Sequence, residues 1–187
     1  MARGRARAGA GGTRRAGPVL SAAPEAGALL VLLLLAATAA AVDIRAMIIP
    51  DAVNLMILVT GLSASLLLGT VEPASALAGA LLGGGLLLGV RAAFRSRRGY
   101  HGLGLGDVKF VAAAGTWTGL EGLAPMLLAA SLTALAYMGT RRLLDPGFDT
   151  GRRIPFGPFL ALGTAAVAAL QIGSGTSVLD LIDRALG

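Results

Sequence analysis

Two aspartates stand at the edges of long apolar runs, each inside a tight local pattern. Asp43 lies in Val42-Asp43-Ile44-Arg45-Ala46-Met47-Ile48-Ile49-Pro50-Asp51, and Asp107 in Gly102-Leu103-Gly104-Leu105-Gly106-Asp107-Val108-Lys109. Carboxylates are costly at membrane depth, so an acid there is a functional candidate by default. Two such acids can share a proton and activate a water, which one alone cannot do. A third patch, Ile154-Pro155-Phe156-Gly157-Pro158-Phe159-Leu160-Ala161-Leu162-Gly163, sets two prolines around a glycine before the last apolar run. Proline at this spacing makes the approach to that run irregular. Irregular backbone at such depth is tolerated only when buried in protein or lining a wet cavity.

Each acid also has a plainer reading. Gly102, Gly104 and Gly106 alternate before Asp107, so a helix is expected to begin near Asp107. The N–H groups at a helix start favour an anion, and Asp107 could do no more than cap it. Lys109, two residues on, points to another face and should meet lipid phosphate or another helix. Asp43 directly follows the first apolar run and could be an interface charge paired with Arg45. Pro50 and Asp51 suit the first turn of the next helix. Asp51 therefore has a structural explanation that Asp43 lacks, which ranks Asp43 above it as the chemical acid.

Composition says what must hold these residues. The chain is 55% hydrophobic and 14% charged, with mean hydropathy +0.76. Soluble domains carry about 25% charged residues, so an all-α integral membrane protein is expected. Six uncharged runs are candidate spans: residues 27–42, 52–71, 73–90, 108–120, 122–140 and 154–173. A span needs about 20 residues. The first run is slightly short and the fourth clearly so, which draws Asp107 and Lys109 toward the membrane boundary. Gly79, Gly83, Gly84, Gly85 and Gly89 suggest close helix packing. Residues 1–24 read as a disordered tail rich in Arg, Ala and Gly, 25–175 as a six-helix membrane domain, and 176–187 as a polar tail with Asp180, Asp183 and Arg184. The tail and first run also resemble a signal peptide. Cleavage after Ala39-Ala40-Ala41 would, however, detach Asp43 from its helix. There is no cysteine and His101 is the only histidine, which removes cysteine chemistry and a multi-His metal site.

Alternating loops put residues 43–51, 91–107 and 141–153 on one side. That side carries Arg45, Arg91, Arg95, Arg97, Arg98, Lys109, Arg141, Arg142, Arg152 and Arg153, while the opposite loops near Glu72 and Glu121 have no Lys or Arg. The positive-inside rule then places both aspartates at the cytoplasmic face. Arg3, Arg5, Arg7, Arg14 and Arg15 conflict with this scheme, unless the tail is an exception or translation starts downstream, for instance at Val19. The net charge of +6 reports topology and lipid headgroups, and no nucleic-acid partner is expected.

The three patches together resemble the type IV prepilin peptidases, aspartic membrane proteases that remove the leader from prepilins. Asp43 with Ile49-Pro50-Asp51 is similar to the family's first aspartate motif, and Gly104-Leu105-Gly106-Asp107-Val108-Lys109 to its Gly-x-Gly-Asp-x-Lys motif. Ile154-Pro155-Phe156-Gly157-Pro158-Phe159 is similar to its C-terminal signature. The resemblance implies that Asp43 and Asp107 are the catalytic acids. Gly104, Gly106, Lys109, Pro50, Asp51, Pro155, Gly157 and Pro158 would shape the site. It implies a prepilin or pseudopilin precursor as substrate, membrane lipids as surroundings, and a multi-pass place in the bacterial inner membrane. Many members add paired Cys-x-x-Cys motifs tied to methylation of the new pilin N-terminus. This chain resembles the short, peptidase-only branch, so neither S-adenosylmethionine nor any other cofactor or metal is expected. Two other classes fit the acids less well: a Mg²⁺-dependent lipid phosphotransferase using Asp43, Asp51 and Asp107, and an ion-coupled transporter, which would hold its acids in mid-span.

Overall fold

A computed structural model of the chain describes residues 18–99, 102–145, 154–176 and 178–186. These form α1 (Pro18–Ala46), α2 (Asp51–Leu68), α3 (Pro73–Arg98), α4 (Leu105–Leu144), α5 (Gly157–Ser174) and α6 (Val178–Leu186), with no strand among them. The boundaries follow the punctuation of the sequence. Pro50 precedes α2, while Pro73 and Pro158 occupy the first turns of α3 and α5, where a missing N–H costs nothing. Gly69, Gly99 and Gly175 end α2, α3 and α5 in the left-handed conformation, which satisfies a last-turn carbonyl.

Five of the helices are long and apolar enough to cross a membrane. One of them, α4, has 40 residues and breaks at Gly119 (φ 65°, ψ −175°). This backbone region is essentially open to glycine alone. The chain folds back there. A Cβ placed on Gly83 would lie 2.8 Å from Leu123 and 3.1 Å from Val111, two residues that a straight helix would hold about 18 Å apart. The two arms of α4, residues 105–118 and 120–144, therefore run as separate helical segments, folded back on each other at Gly119. The molecule is a multi-pass, all-α membrane protein, as its composition implies.

Several boundaries differ from the uncharged runs. The first span continues through Asp43 to Ala46, so Asp43 is helical rather than placed after the span. Helix α1 also takes in residues 18–24, which the sequence places in the tail; the residues before them lie outside the described ones. Helix α3 runs on to Arg98, because Arg95, Arg97 and Arg98 suit the negative end of a helix dipole. The reversal falls at Gly119 rather than at Glu121. The C-terminal segment is a short amphipathic helix, α6, with Asp180, Asp183 and Arg184 on one face.

The core sits where α4 meets its neighbours. Trp117 is buried and donates its Nε1–H to the Ile57 carbonyl at 2.8 Å. Gly79 and Gly115 let α3 and α4 touch backbone to backbone: a Cβ on either would come within 2.6 Å of the other's main chain. Van der Waals contact of this kind drives helix association in lipid, where no hydrophobic effect separates helix from solvent. The bundle ends differ in charge. Arg45, the last turn of α3, Arg141 and Arg142 lie at the Asp43 end. Glu25, Glu72 and Glu121 line a cavity of about 270 Å³ at the other.

Candidate active site

Helix α1 delivers Asp43 in its last turn. Its stripe of Leu32, Ala36, Ala39 and Asp43 is buried, at the three- and four-residue spacing of one helix face. Asp43 is thus carried inward by the same face that packs the helix, and only 5% of it is exposed. Arg45, two residues on, is exposed and does not share that face. The partner of Asp43 is instead the start of α5: the Gly157 N–H donates to Asp43 Oδ2 at 2.8 Å. The first N–H groups of a helix have no partner within it, and the helix dipole adds to their pull on an anion. A side chain at 157 would fill this space, since a Cβ there would stand 2.7 Å from Asp43 Oδ2.

Asp107 enters from α4. Gly104 is the N-cap, which makes Asp107 the third helical residue, and its carboxylate accepts a hydrogen bond from the Gly104 backbone. This is half of a capping box. Asp107 thus caps the start of α4. Asp107 lies close enough to Asp43 for the two carboxylates to interact electrostatically. Both line one cavity of about 740 Å³ with Met47, Arg91, Leu103, Gly104 and the segment Ile154-Pro155-Phe156. Two acids, each held by the N-terminus of a different helix, thus face a common space at the basic end of the bundle.

The remaining sequence candidates divide. Pro155 and Gly104 line the cavity and Gly157 holds Asp43. Pro158 sits in the first turn of α5 and fixes where that helix begins. Gly106 packs against Ile49, within 3.3 Å of where its Cβ would be. Pro50 opens α2. Asp51 and Lys109 pair with each other: Lys109 Nζ donates to Asp51 Oδ1 and Oδ2 at 2.7 and 2.8 Å. Of the two expectations for Lys109, the contact with another helix is the one seen. The pair ties the start of α2 to the first turn of α4, and neither residue lines the cavity shared by Asp43 and Asp107.

Arg91 and Met47 are among the lining residues that the sequence does not single out as site residues. Arg91, grouped in the sequence with the topology-determining charges, donates to the Leu103 carbonyl and so braces the loop that leads to Gly104 and Asp107. Its signal was present: it is the first charge after a long apolar run, the same criterion that marks the acids. Met47 is the one described non-glycine residue with positive φ, at 54°. It closes α1, its N–H reaching the Asp43 carbonyl at 2.8 Å, in a conformation that costs roughly 1–2 kcal/mol. Nothing in the residue type announces it. His101, Arg152 and Arg153 lie outside the described residues.

Comparison with known proteins identifies the family. Residues 30–139 match the type IV leader peptidase family. A prepilin leader peptidase/N-methyltransferase of Aeromonas hydrophila is 37% identical over 145 residues, covering 76% of this chain and 50% of that protein. Its namesake in Xanthomonas campestris pv. campestris is 37% identical over 65% of this chain and 42% of its own length. The one in Escherichia coli K12 is 36% identical over 74% and 60%. The chain spans about half the length of the curated relatives it matches. No solved structure matches it. With the family matched across the run that carries both aspartates, this chain belongs to the type IV leader peptidase family.

Proposed function

We propose that this chain is a membrane-embedded aspartic endopeptidase that removes the basic leader from type IV prepilin-like precursors at the cytoplasmic face of the bacterial inner membrane. The observation that carries the reading is the shared cavity. Asp43 and Asp107, from two helices, face one space at the basic end of the bundle. The site's end of the bundle holds the clustered arginines and its opposite end the glutamates, which the positive-inside rule orients with the site toward the cytoplasm.

In this mechanism the two carboxylates hold one proton between them, because neighbouring like charges do not both ionise cheaply. The ionised acid takes a proton from water as the water oxygen attacks the scissile carbonyl carbon. The protonated acid gives its proton to the carbonyl oxygen. Collapse of the tetrahedral intermediate breaks the C–N bond, and the amide nitrogen leaves with a proton returned from the dyad. No covalent enzyme intermediate forms. The Gly157 and Gly104 N–H groups hold the acids in register without occupying the cavity themselves.

Asp51, the third acid a lipid phosphotransferase would use, is turned to Lys109, which favours the two-acid chemistry. The acids also stand at helix ends rather than in mid-span, against the transporter. The test is cleavage of a co-expressed prepilin, read by gel shift with and without EDTA. Leader loss indifferent to EDTA supports the peptidase. Absence of cleavage of several prepilins by well-inserted protein, or chelator-sensitive phosphate transfer to lipid, would overturn it.

A further inference from the structure

We propose that Met47 is a specificity-determining residue: its side chain forms an adaptable wall of the cavity shared by Asp43 and Asp107, against which the residue beside the scissile bond is fitted. This rests on the peptidase reading and adds a residue to its site. Helices α2, α3 and α5 each end in a left-handed residue whose N–H reaches back to a last-turn carbonyl. In each that residue is glycine: Gly69, Gly99 and Gly175. Helix α1 ends the same way, with the Met47 N–H on the Asp43 carbonyl at 2.8 Å, but in a methionine at φ 54°. Every other described residue with positive φ is glycine. Glycine makes this turn without the clash that a Cβ brings, so the cap itself gives no reason for a side chain at 47.

Packing gives none either. Met47 is 52% exposed and lies outside the buried core, so burial does not offset the strain. What sets Met47 apart is the space it borders. It lines the cavity that Asp43 and Asp107 share, whereas Gly69, Gly99 and Gly175 do not. Its neighbours Ile44 and Ile48 are more exposed still, yet neither lines that cavity. Exposure toward lipid is thus common to this stretch, and contact with the cavity belongs to Met47. A strained residue that the surrounding structure holds in place marks functional sites in general.

The residue type fits the role. Methionine is unbranched and carries a polarisable thioether, so it moulds to surfaces of different shape. The other apolar lining is Leu103, Ile154, Pro155 and Phe156, and Pro155 is fixed by its ring. A peptide reaching Asp43 therefore meets a yielding wall, carried on the same helix end as the acid, and a firmer one at the lead-in to α5. The yielding wall accepts side chains of several sizes beside the scissile bond while the carbonyl is held at the carboxylates. Such a contact is made in the bound substrate and in the transition state alike, so its loss raises KM and spares kcat.

Substitutions at 47 separate this role from capping. Steady-state cleavage is measured on membrane-inserted protein, with precursors that differ only in the residue after the scissile bond, from Ala to Trp. Met47→Gly keeps the left-handed turn and should melt no lower than wild type. It should nevertheless raise KM by about tenfold or more, with kcat within about threefold, and alter the order in which the precursors are preferred. Met47→Leu, apolar and similar in volume, should recover most of the KM but cleave a narrower range of precursors. Ile48→Ala should leave KM and the order unchanged. A Met47→Gly protein with wild-type KM and wild-type order would reduce Met47 to a cap and overturn the inference, while the peptidase reading stands. An equal rise in KM in Ile48→Ala would assign the effect to the membrane surface and overturn it too. If the wild-type chain cleaves no precursor, the peptidase reading falls and the role of Met47 with it.

Discussion

Gly157→Ala is the smallest change that probes how Asp43 is held. The added Cβ would stand 2.7 Å from Asp43 Oδ2 and 3.0 Å from its Cβ and Cγ, closer than atoms of these kinds pack. Asp43 lines the cavity it shares with Asp107, so its carboxylate makes room by shifting away from Gly157 into that space. It must move off the Gly157 N–H and stretch a bond now 2.8 Å long. A hydrogen bond to a charged group contributes about 1.5–3 kcal/mol, and each 1.36 kcal/mol is tenfold in rate. If most of that bond is lost in the transition state, kcat falls about 10- to 100-fold. KM should change little, because the clash lies behind the acid and away from the cavity mouth. The assay is steady-state cleavage of a detergent-solubilised or membrane-bound prepilin, with thermal melting of the same preparation as the folding control. An intact, wild-type melt with kcat reduced about 30-fold fits the reasoning. A well-folded Gly157→Ala enzyme with kcat within threefold of wild type would refute the claim that this N–H positions the acid.

Three further outcomes follow from the geometry. Gly119→Ala should lower thermal stability by about 3 kcal/mol or prevent insertion, since a side chain is strained at φ 65° and its Cβ would meet Ser75 and Val71 at 2.7 Å; a wild-type melting temperature would show that the reversal does not depend on this residue. Lys109→Met should cost no more than about 1 kcal/mol in a denaturation assay, because the Asp51–Lys109 pair is solvent-accessible at 73% and 43% of its side chains; a loss of several kcal/mol would mean that the pair is a buried strut. Arg91→Ala should slow cleavage by freeing the Leu103 loop beside Asp107, and Arg91→Lys should restore part of the rate. Equal loss in both, with a raised KM, would instead assign Arg91 to substrate binding.

The sequence makes the outline of this site legible because membrane depth punishes charge. Asp43 and Asp107 stand out against apolar neighbours, and Pro155, Gly157 and Pro158 mark a helix start that must be irregular. Asp43 lies 114 positions before its hydrogen-bond partner Gly157, yet both belong to patches visible in the chain. What the sequence leaves open is chosen by tertiary contact. Lys109 faces away from Asp107 on local grounds, but only the packing of α2 on α4 selects Asp51 as its partner over lipid phosphate. The reversal in α4 falls at Gly119, whereas charge alone points to Glu121, since a positive φ leaves no mark beyond the residue being glycine. Arg91 reads as one of many topology charges until α3 is seen to continue through it, bringing its guanidinium to the Leu103 carbonyl. Met47 carries a strained φ that its side chain gives no reason to expect.

The central claim is that two acids, and only together, activate the water. The direct measurement is single-turnover cleavage of a purified prepilin by the wild-type chain, Asp43→Asn and Asp107→Asn, each shown to be inserted and folded by its melting curve. The dyad predicts that either substitution removes cleavage to background while substrate binding persists. Retention of wild-type cleavage by a folded Asp43→Asn or Asp107→Asn protein would contradict it, whatever the fate of the other.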